Sequence, residues 1–200
     1  MSHFWDNRYN EDEFAYGKKA NDFLASITFQ NPMGKKALCL AEGQGRNAVF
    51  LAKAGFDVLA VDQSAAGLWK ALELAKEENA EIKIQEADLS SYLIPKESYD
   101  CIVSIYGHFD PETRTHIHRQ AVQGLKKGGL FVLEAFSKDQ LKYDTGGPKA
   151  LDLLYDFQEL EADFDGGLEF QTKRQLDRVV EEGKYHTGMS SVIQILGTKI

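Results

Sequence analysis

The chain is short of cysteine, of basic residues and of long apolar runs. Its two cysteines, Cys39 and Cys101, form no C-x-x-C pair, which excludes a disulfide framework and a multi-cysteine metal site. Both stand inside apolar runs as small buried hydrophobes, and a cytoplasmic location is expected. No apolar segment approaches the roughly 20 residues needed to cross a membrane. The opening MSHFWDNRYNEDE has no basic region followed by an apolar run, so no secretory signal is expected. Lys and Arg number 23 against 31 Asp and Glu, a formal net charge of −8. That deficit argues against a broad footprint on nucleic acid or anionic lipid. Hydrophobic content of 43% is ordinary for a globular chain, and 200 residues make one domain, 1–200, with a full core.

What is there is a rhythm. After a polar and aromatic stretch over 1–35, with a helix expected near 20–26, apolar runs alternate with helical spacing. The run at 36–41 reads as a strand covered on both faces, and those at 56–61, 81–85, 99–105 and 130–136 as further strands. Helical spacing over 46–54 stops at Gly55, Ser64 caps a helix to about 79, and Asp110-Pro111-Glu112 opens one running to 125. This alternation predicts an α/β fold, a Rossmann-like, doubly wound, mostly parallel sheet with helices on both faces. Residues 137–149 make a loop long enough for a lid. A helix is expected at 151–160, and strands at 168–180 and 189–200 form a hairpin that adds one antiparallel strand to a seven-stranded sheet.

The first strand runs into LCLAEGQGRNA, residues 38–48. Gly43-x-Gly45-x-x-Ala48 has the spacing of a dinucleotide-binding turn. Glu42, immediately before it, opposes a pyrophosphate: at about 4 Å and an effective dielectric near 20, roughly 4 kcal/mol of Coulomb energy is at stake. The same carboxylate favours an ammonium or sulfonium. Asp62 ends the second strand and is placed to accept both hydroxyls of a ribose. S-adenosylmethionine has the required parts, and its own carboxylate is expected to meet the amino end of the next helix or Arg46. A nicotinamide-dependent oxidoreductase using the same turn, and a non-catalytic cofactor-binding protein, are the competing readings.

With these segments in view, the sequence resembles the class I S-adenosylmethionine-dependent methyltransferases. Glu42-Gly43-Gln44-Gly45 is similar to their first motif, and Val58-Leu-Ala-Val-Asp62-Gln63-Ser64 to their second. Glu86-Ala87-Asp88-Leu89 resembles the acidic segment that meets the adenine amino group. Within the class, Trp5-Asp6-x-Arg8-Tyr9, Tyr16-Gly17 and Gly45-Arg46-Asn47-Ala48 are similar to small tellurite-resistance-type and thiopurine-methyltransferase-like enzymes. The resemblance implies S-adenosylmethionine as cofactor, S-adenosylhomocysteine as product, and residues 1–35 as a helical cap over the cofactor. It also implies a cofactor site of Tyr16, Glu42, Gly43, Gly45, Arg46, Asn47, Asp62, Gln63, Ser64, Ala87, Asp88, Leu89, Ser104 and Ile105.

Methyl transfer needs a base only where the nucleophile carries a proton. Tyr106, His108 and His186 are the candidates for a chemical role. Each has a plainer reading: His108 as a polar loop residue, His186 as an exposed hairpin residue, Arg46 as half of a surface ion pair, Asp88 as a turn cap. His116 and His118 point to different faces of a helix, so no metal site is expected. The strand-four exit reads Ser104-Ile-Tyr-Gly107, without the amide-proline pair that base-amino methyltransferases resemble one another in. A small-molecule acceptor is therefore expected, in the subfamily's manner a thiol or a chalcogen oxyanion, with no nucleic-acid or membrane partner.

Overall fold

The computed structural model describes residues 2–11 and 13–200; of Ser2 and His3 only the backbone is described. Met1 and Asp12, within the expected cap, lie outside the described residues. In chain order the elements are α1 (Ser2–Tyr9), α2 (Asp22–Ala25), β1 (Lys36–Leu40), α3 (Arg46–Ala54), β2 (Asp57–Asp62), α4 (Ala65–Glu77) and β3 (Lys83–Glu86). Then come β4 (Tyr99–Ile105), α5 (Pro111–Gly124), β5 (Leu125–Phe136), α6 (Phe157–Phe164), β6 (Leu168–Glu181) and β7 (Thr187–Lys199). The seven strands form one sheet in the order β3-β2-β1-β4-β5-β7-β6. β7 runs antiparallel to both its neighbours, and the other pairings are parallel. This is the expected doubly wound sheet with one antiparallel strand.

Apolar side chains leave both faces of the central strands. Leu38, Leu40, Ile102, Phe131 and Leu133 pack against Ile117 and Ala121 of α5 and against Leu160 and Phe164 of α6. On the other face Ala37, Cys39, Ala60, Cys101 and Val103 meet Ala48 and Leu51 of α3 and Leu68 of α4. Both cysteines are free and buried, as their apolar contexts imply. The long edge strand β6 carries Lys173, Arg174 and Arg178 and a register shift near Phe170, devices that discourage pairing with another edge.

Three features differ from the sequence reading. The helix expected to run to 125 stops at Gly124, and Leu125 already pairs with Tyr99; a register shift before the Leu130–Cys101 pair takes up residues 126–129. Residues 151–153 form only a short 3-10 turn, and α6 starts at Phe157, where the Asp156 side chain accepts from the Glu159 N–H at 2.9 Å. No local pattern predicts α1. It is polar and short, and its support is packing against α4.

Among the described residues no helix is long and apolar enough to cross a membrane. No group of three His, Cys, Asp or Glu side chains among them gathers to hold a metal ion.

Candidate active site

The sheet order reverses between β1 and β4, and open α/β sheets bind ligands beyond the carboxyl ends of strands at such a point. The glycine turn lies there. Gly45 has φ +87° and a Cβ on it would sit 2.5 Å from the Ala71 Cβ, so only glycine lets α3 pack this closely on α4. Gly45 also occupies the N-cap of α3, where it offers no side chain to the helix. Glu42 supplies the cap instead, its Oε1 accepting from the N–H groups of Asn47 at 2.9 Å and Ala48 at 2.8 Å. A carboxylate there also meets the positive end of the helix dipole.

Glu42 is 8% exposed, and burial raises its pKa to about 7 against the pull of the Ala48 N–H, Arg46 and the Asn47 N–H. Asp62 is 5% exposed; its Oδ2 accepts from the Gly43 N–H and its Oδ1 from the Ser64 N–H, each at 2.8 Å. Burial raises its pKa to about 6, opposed by those bonds. A carboxylate oxygen has a second lone pair, so Asp62 keeps acceptor capacity for hydroxyls. Two acids thus share one desolvated pocket at the mouth of the turn.

The amino-terminal residues close over them. Tyr9 is buried, and its ring lies so near Gly43 and Gly67 that a Cβ on either would fall within 3 Å of it. Burial, helped by Asp62, holds its phenol pKa well above the ordinary value. Asp6 accepts from the Ser64 hydroxyl at 2.6 Å, and Ser64 in turn caps α4. The sequence alone gives neither Asp6 nor Tyr9 a place in the site. The Trp5–Tyr9 spacing, one helical turn, is the available signal, and those rings stack at 5.7 Å.

Beside this pocket is an aromatic box. His186 lies 4.4 Å from the Tyr16 ring, 4.6 Å from Tyr106 and 5.0 Å from Phe136. It is buried, not an exposed hairpin residue, and its Nδ1 has no partner among the described residues. Burial, with Arg46, His108 and Arg8 nearby, lowers its pKa well below the ordinary value, so the ring is neutral at pH 7. Tyr106, at φ +54°, donates its hydroxyl to Glu134 at 2.8 Å.

His108 is different. Its Nδ1 lies 2.7 Å from the Leu153 carbonyl and its Nε2 accepts from the Phe136 N–H at 3.3 Å. Burial lowers its pKa to about 4. Both ring nitrogens are engaged by backbone, which leaves His108 an organiser of strand ends and not a group free to exchange a proton.

Arg46 and Asn47 also turn away from their expected roles. Arg46 pairs with Glu182 at 2.5 Å, with both side chains buried. Asn47 accepts the Asn21 N–H through its Oδ1 at 3.0 Å, which ties α3 to the amino-terminal segment. Asn21 also donates to Glu134 at 2.7 Å and to Glu182 at 2.9 Å. Arg178 bridges the same two acids at 2.6 and 3.1 Å, and Gln194 donates to Glu134. No sequence signal marks this network, because its members come from five separate segments.

The residues expected on the adenine side follow β2 and β3. The Ala87 N–H donates to the Asp62 carbonyl at 2.9 Å, Leu89 is buried, and Gln63 and Ser64 follow the ribose acid. Asp88 caps a turn, accepting from the Ser90 N–H at 2.9 Å, and that bond lowers its pKa. Ser104 and Ile105 are buried at the end of β4, with Ser104 opposite Leu40. A groove of about 760 Å³ opens at the opposite ends of the strands, between Phe29 and Leu196, and contains none of these groups.

Four buried side-chain atoms lack a partner among the described residues: Gln44 Nε2, Arg178 Nε, His186 Nδ1 and His118 Nε2. The first three belong to the glycine turn, the ion network and the aromatic box; His118 lies elsewhere, against Asp163. An unpaired buried polar atom costs about 1–3 kcal/mol. Their gathering here fits a polar ligand.

Residues 37–129 match the family model described as a methyltransferase domain. Hemagglutinin 1 of Eikenella corrodens is 40% identical over 67 residues, which are 34% of this chain and 22% of that protein's length. TehB from Haemophilus influenzae superposes with a TM-score of 0.71 at 20% identity, covering 100% of this chain and 67% of its own. An S-adenosylmethionine-dependent methyltransferase from Methanosarcina mazei gives 0.69 at 16% identity, covering 91% and 99%. A structure solved for the conversion of a disulfide bond into a thioacetal group during echinomycin biosynthesis gives 0.76 at 12% identity, covering 100% and 91%. Sheet order and glycine turn agree with these likenesses: the chain has the Rossmann-like fold of these methyltransferase structures, and its residues 37–129 match a methyltransferase domain.

Proposed function

We propose that the protein transfers a methyl group from S-adenosylmethionine to a small-molecule acceptor, releasing S-adenosylhomocysteine. The observation that carries this reading is the pair of buried acids, Glu42 and Asp62, at the mouth of the glycine turn. A diphosphate seated there would add negative charge to a pocket already resisting it. A cationic adenosyl compound relieves it.

When bound, the cofactor supplies an electrophilic methyl group and a leaving group that departs neutral. This chain's residues bind and orient. In this reading Asp62 receives the ribose hydroxyls, Gly43 and Gly45 allow close approach, and Gln63 and Ser64 line the ribose side. Ala87, Asp88 and Leu89 border the base, Ser104 and Ile105 form the floor, and Tyr16 covers the site. Much of the rate comes from such positioning with water excluded.

His186 takes the proton where the acceptor carries one: it is neutral, its Nδ1 is unpartnered, and it faces Tyr16 and Tyr106. Tyr106 directs its O–H at Glu134 and so presents an oxygen lone pair. The box of Tyr16, Tyr106, Phe136 and His186 offers polarisable faces of the kind sulfur contacts favourably. This supports a soft acceptor, a thiol or a chalcogen oxyanion.

The test is a screen with methyl-labelled cofactor against small thiols, selenium and tellurium oxyanions and aromatic hydroxyls. Labelled product from the soft acceptors is expected. Cofactor binding with no transfer to any acceptor would favour a non-catalytic cofactor-binding protein.

A further inference from the structure

The proposed cofactor ends in an amino acid, and its carboxylate needs a partner in a pocket whose own acids repel it. The sequence offers two, and the structure removes both. The first turn of α3 is already capped by Glu42. Arg46 is committed to Glu182, out of solvent.

What remains comes from the glycine turn and the amino-terminal segment. Gln44 is 5% exposed, and its amide is oriented by the Ala15 N–H, which donates to its Oε1 at 2.8 Å. That bond leaves Nε2 as a buried donor with no acceptor among the described residues. Arg8 makes no ion pair with any described carboxylate. Its guanidinium lies over the rings of Tyr185 at 4.1 Å and Phe4 at 5.0 Å, and its Nη1 donates to the Tyr16 hydroxyl at 3.1 Å. A guanidinium held on aromatic faces keeps an N–H edge for a planar anion. Arg8 also acts on the same space electrically, helping to lower the pKa of His186 and opposing the rise at Tyr9 and Tyr16.

We infer that Arg8 and Gln44 form the receptor for the carboxylate of the cofactor's amino-acid tail, which makes the amino-terminal helix part of the cofactor site. The inference rests on the function proposed above. It gives α1 a chemical role, because Arg8 makes no ion pair with a described carboxylate, while Arg46 and Arg178 are both paired.

Two ligands separate this role from a merely structural one. S-adenosylhomocysteine carries the carboxylate; 5′-methylthioadenosine has the same adenosine and sulfur without the amino-acid tail. Titration calorimetry would compare them on the wild-type chain, Arg8→Gln, Arg8→Lys and Gln44→Leu. Arg8→Gln is expected to weaken S-adenosylhomocysteine roughly 10- to 100-fold, as for a lost charge-assisted bond, and 5′-methylthioadenosine less than about twofold. Arg8→Lys should recover part of the loss, and Gln44→Leu should show the same selectivity. Equal weakening of both ligands, or unchanged S-adenosylhomocysteine affinity, would overturn the inference.

The wild-type chain alone gives a second reading that needs no variant. S-adenosylmethionine should bind more tightly than its decarboxylated form, and equal affinities would overturn the assignment. Failure of the wild-type chain to bind any adenosyl ligand would remove the proposed function, and this inference with it.

Discussion

Replacing Glu42 by glutamine separates the two roles of that side chain. Glutamine keeps the Oε1 that accepts from Asn47 and Ala48, so the α3 cap survives. What disappears is the buried charge. Glu42 titrates at about 7 in the folded chain against an ordinary value of 4.5. Between those values the folded chain holds a proton that the unfolded chain has lost, so stability falls as pH rises through that window. Above pH 7 the full cost is present, about 3 kcal/mol for a gap of that size.

Glu42→Gln should therefore unfold later than wild type in urea at pH 8, by up to about 3 kcal/mol, with most of the advantage gone by pH 5. Removing the charge should at the same time weaken S-adenosylmethionine at pH 8 about tenfold or more, within the roughly 4 kcal/mol available to one charge at close range. Urea titrations at both pH values and calorimetry with the cofactor read the two effects separately. A stability difference independent of pH, or an unaltered cofactor affinity, would refute the reasoning.

Further outcomes are expected from the same geometry. Asp62→Asn should weaken S-adenosylhomocysteine by roughly 10-fold or more by removing a charged acceptor from the ribose hydroxyls, measured by calorimetry; an unchanged dissociation constant would remove Asp62 from the site. Wild-type affinity for S-adenosylmethionine should fall as pH drops from 8 to 5, because Glu42 and Asp62 take up protons near 7 and 6; a flat profile would contradict that. His186→Gln should lower kcat for a protonated acceptor while leaving the cofactor dissociation constant in place, and a normal kcat would exclude it as the base. Arg178→Met removes the cation paired with Glu134, which is 0% exposed and keeps only the neutral donors Asn21, Tyr106 and Gln194, and should cost about 3–5 kcal/mol in urea unfolding; a loss below about 1 kcal/mol would mean the network is solvated.

Much of the scaffold is legible in the sequence because local signals and tertiary packing agree there. β4 spans the predicted 99–105, since a short segment rich in apolar and β-branched residues around Cys101-Ile102-Val103 suits a buried strand. The glycine turn and Asp62 are legible because backbone conformation and strand ends impose fixed spacing. Gly128-Gly129 hides the start of β5, which begins at Leu125, paired with Tyr99, ahead of the expected 130. Glu42 reads as a free charge in the sequence, but its bonds to α3 depend on a turn that only coordinates reveal. The Glu134–Arg178 pair joins residues 44 apart, and no local pattern encodes such a contact. Tyr9 and Asp6 are hidden because α1 is stabilised by what it touches and not by its own periodicity.

Above all, the buried acids of this pocket should choose a cationic adenosyl ligand over a phosphorylated one. Calorimetric titration of the wild-type chain at pH 8 with S-adenosylmethionine, and separately with NAD, tests this most directly. Heat of binding is predicted from S-adenosylmethionine and none from NAD. Saturable binding of NAD with none of S-adenosylmethionine would contradict it.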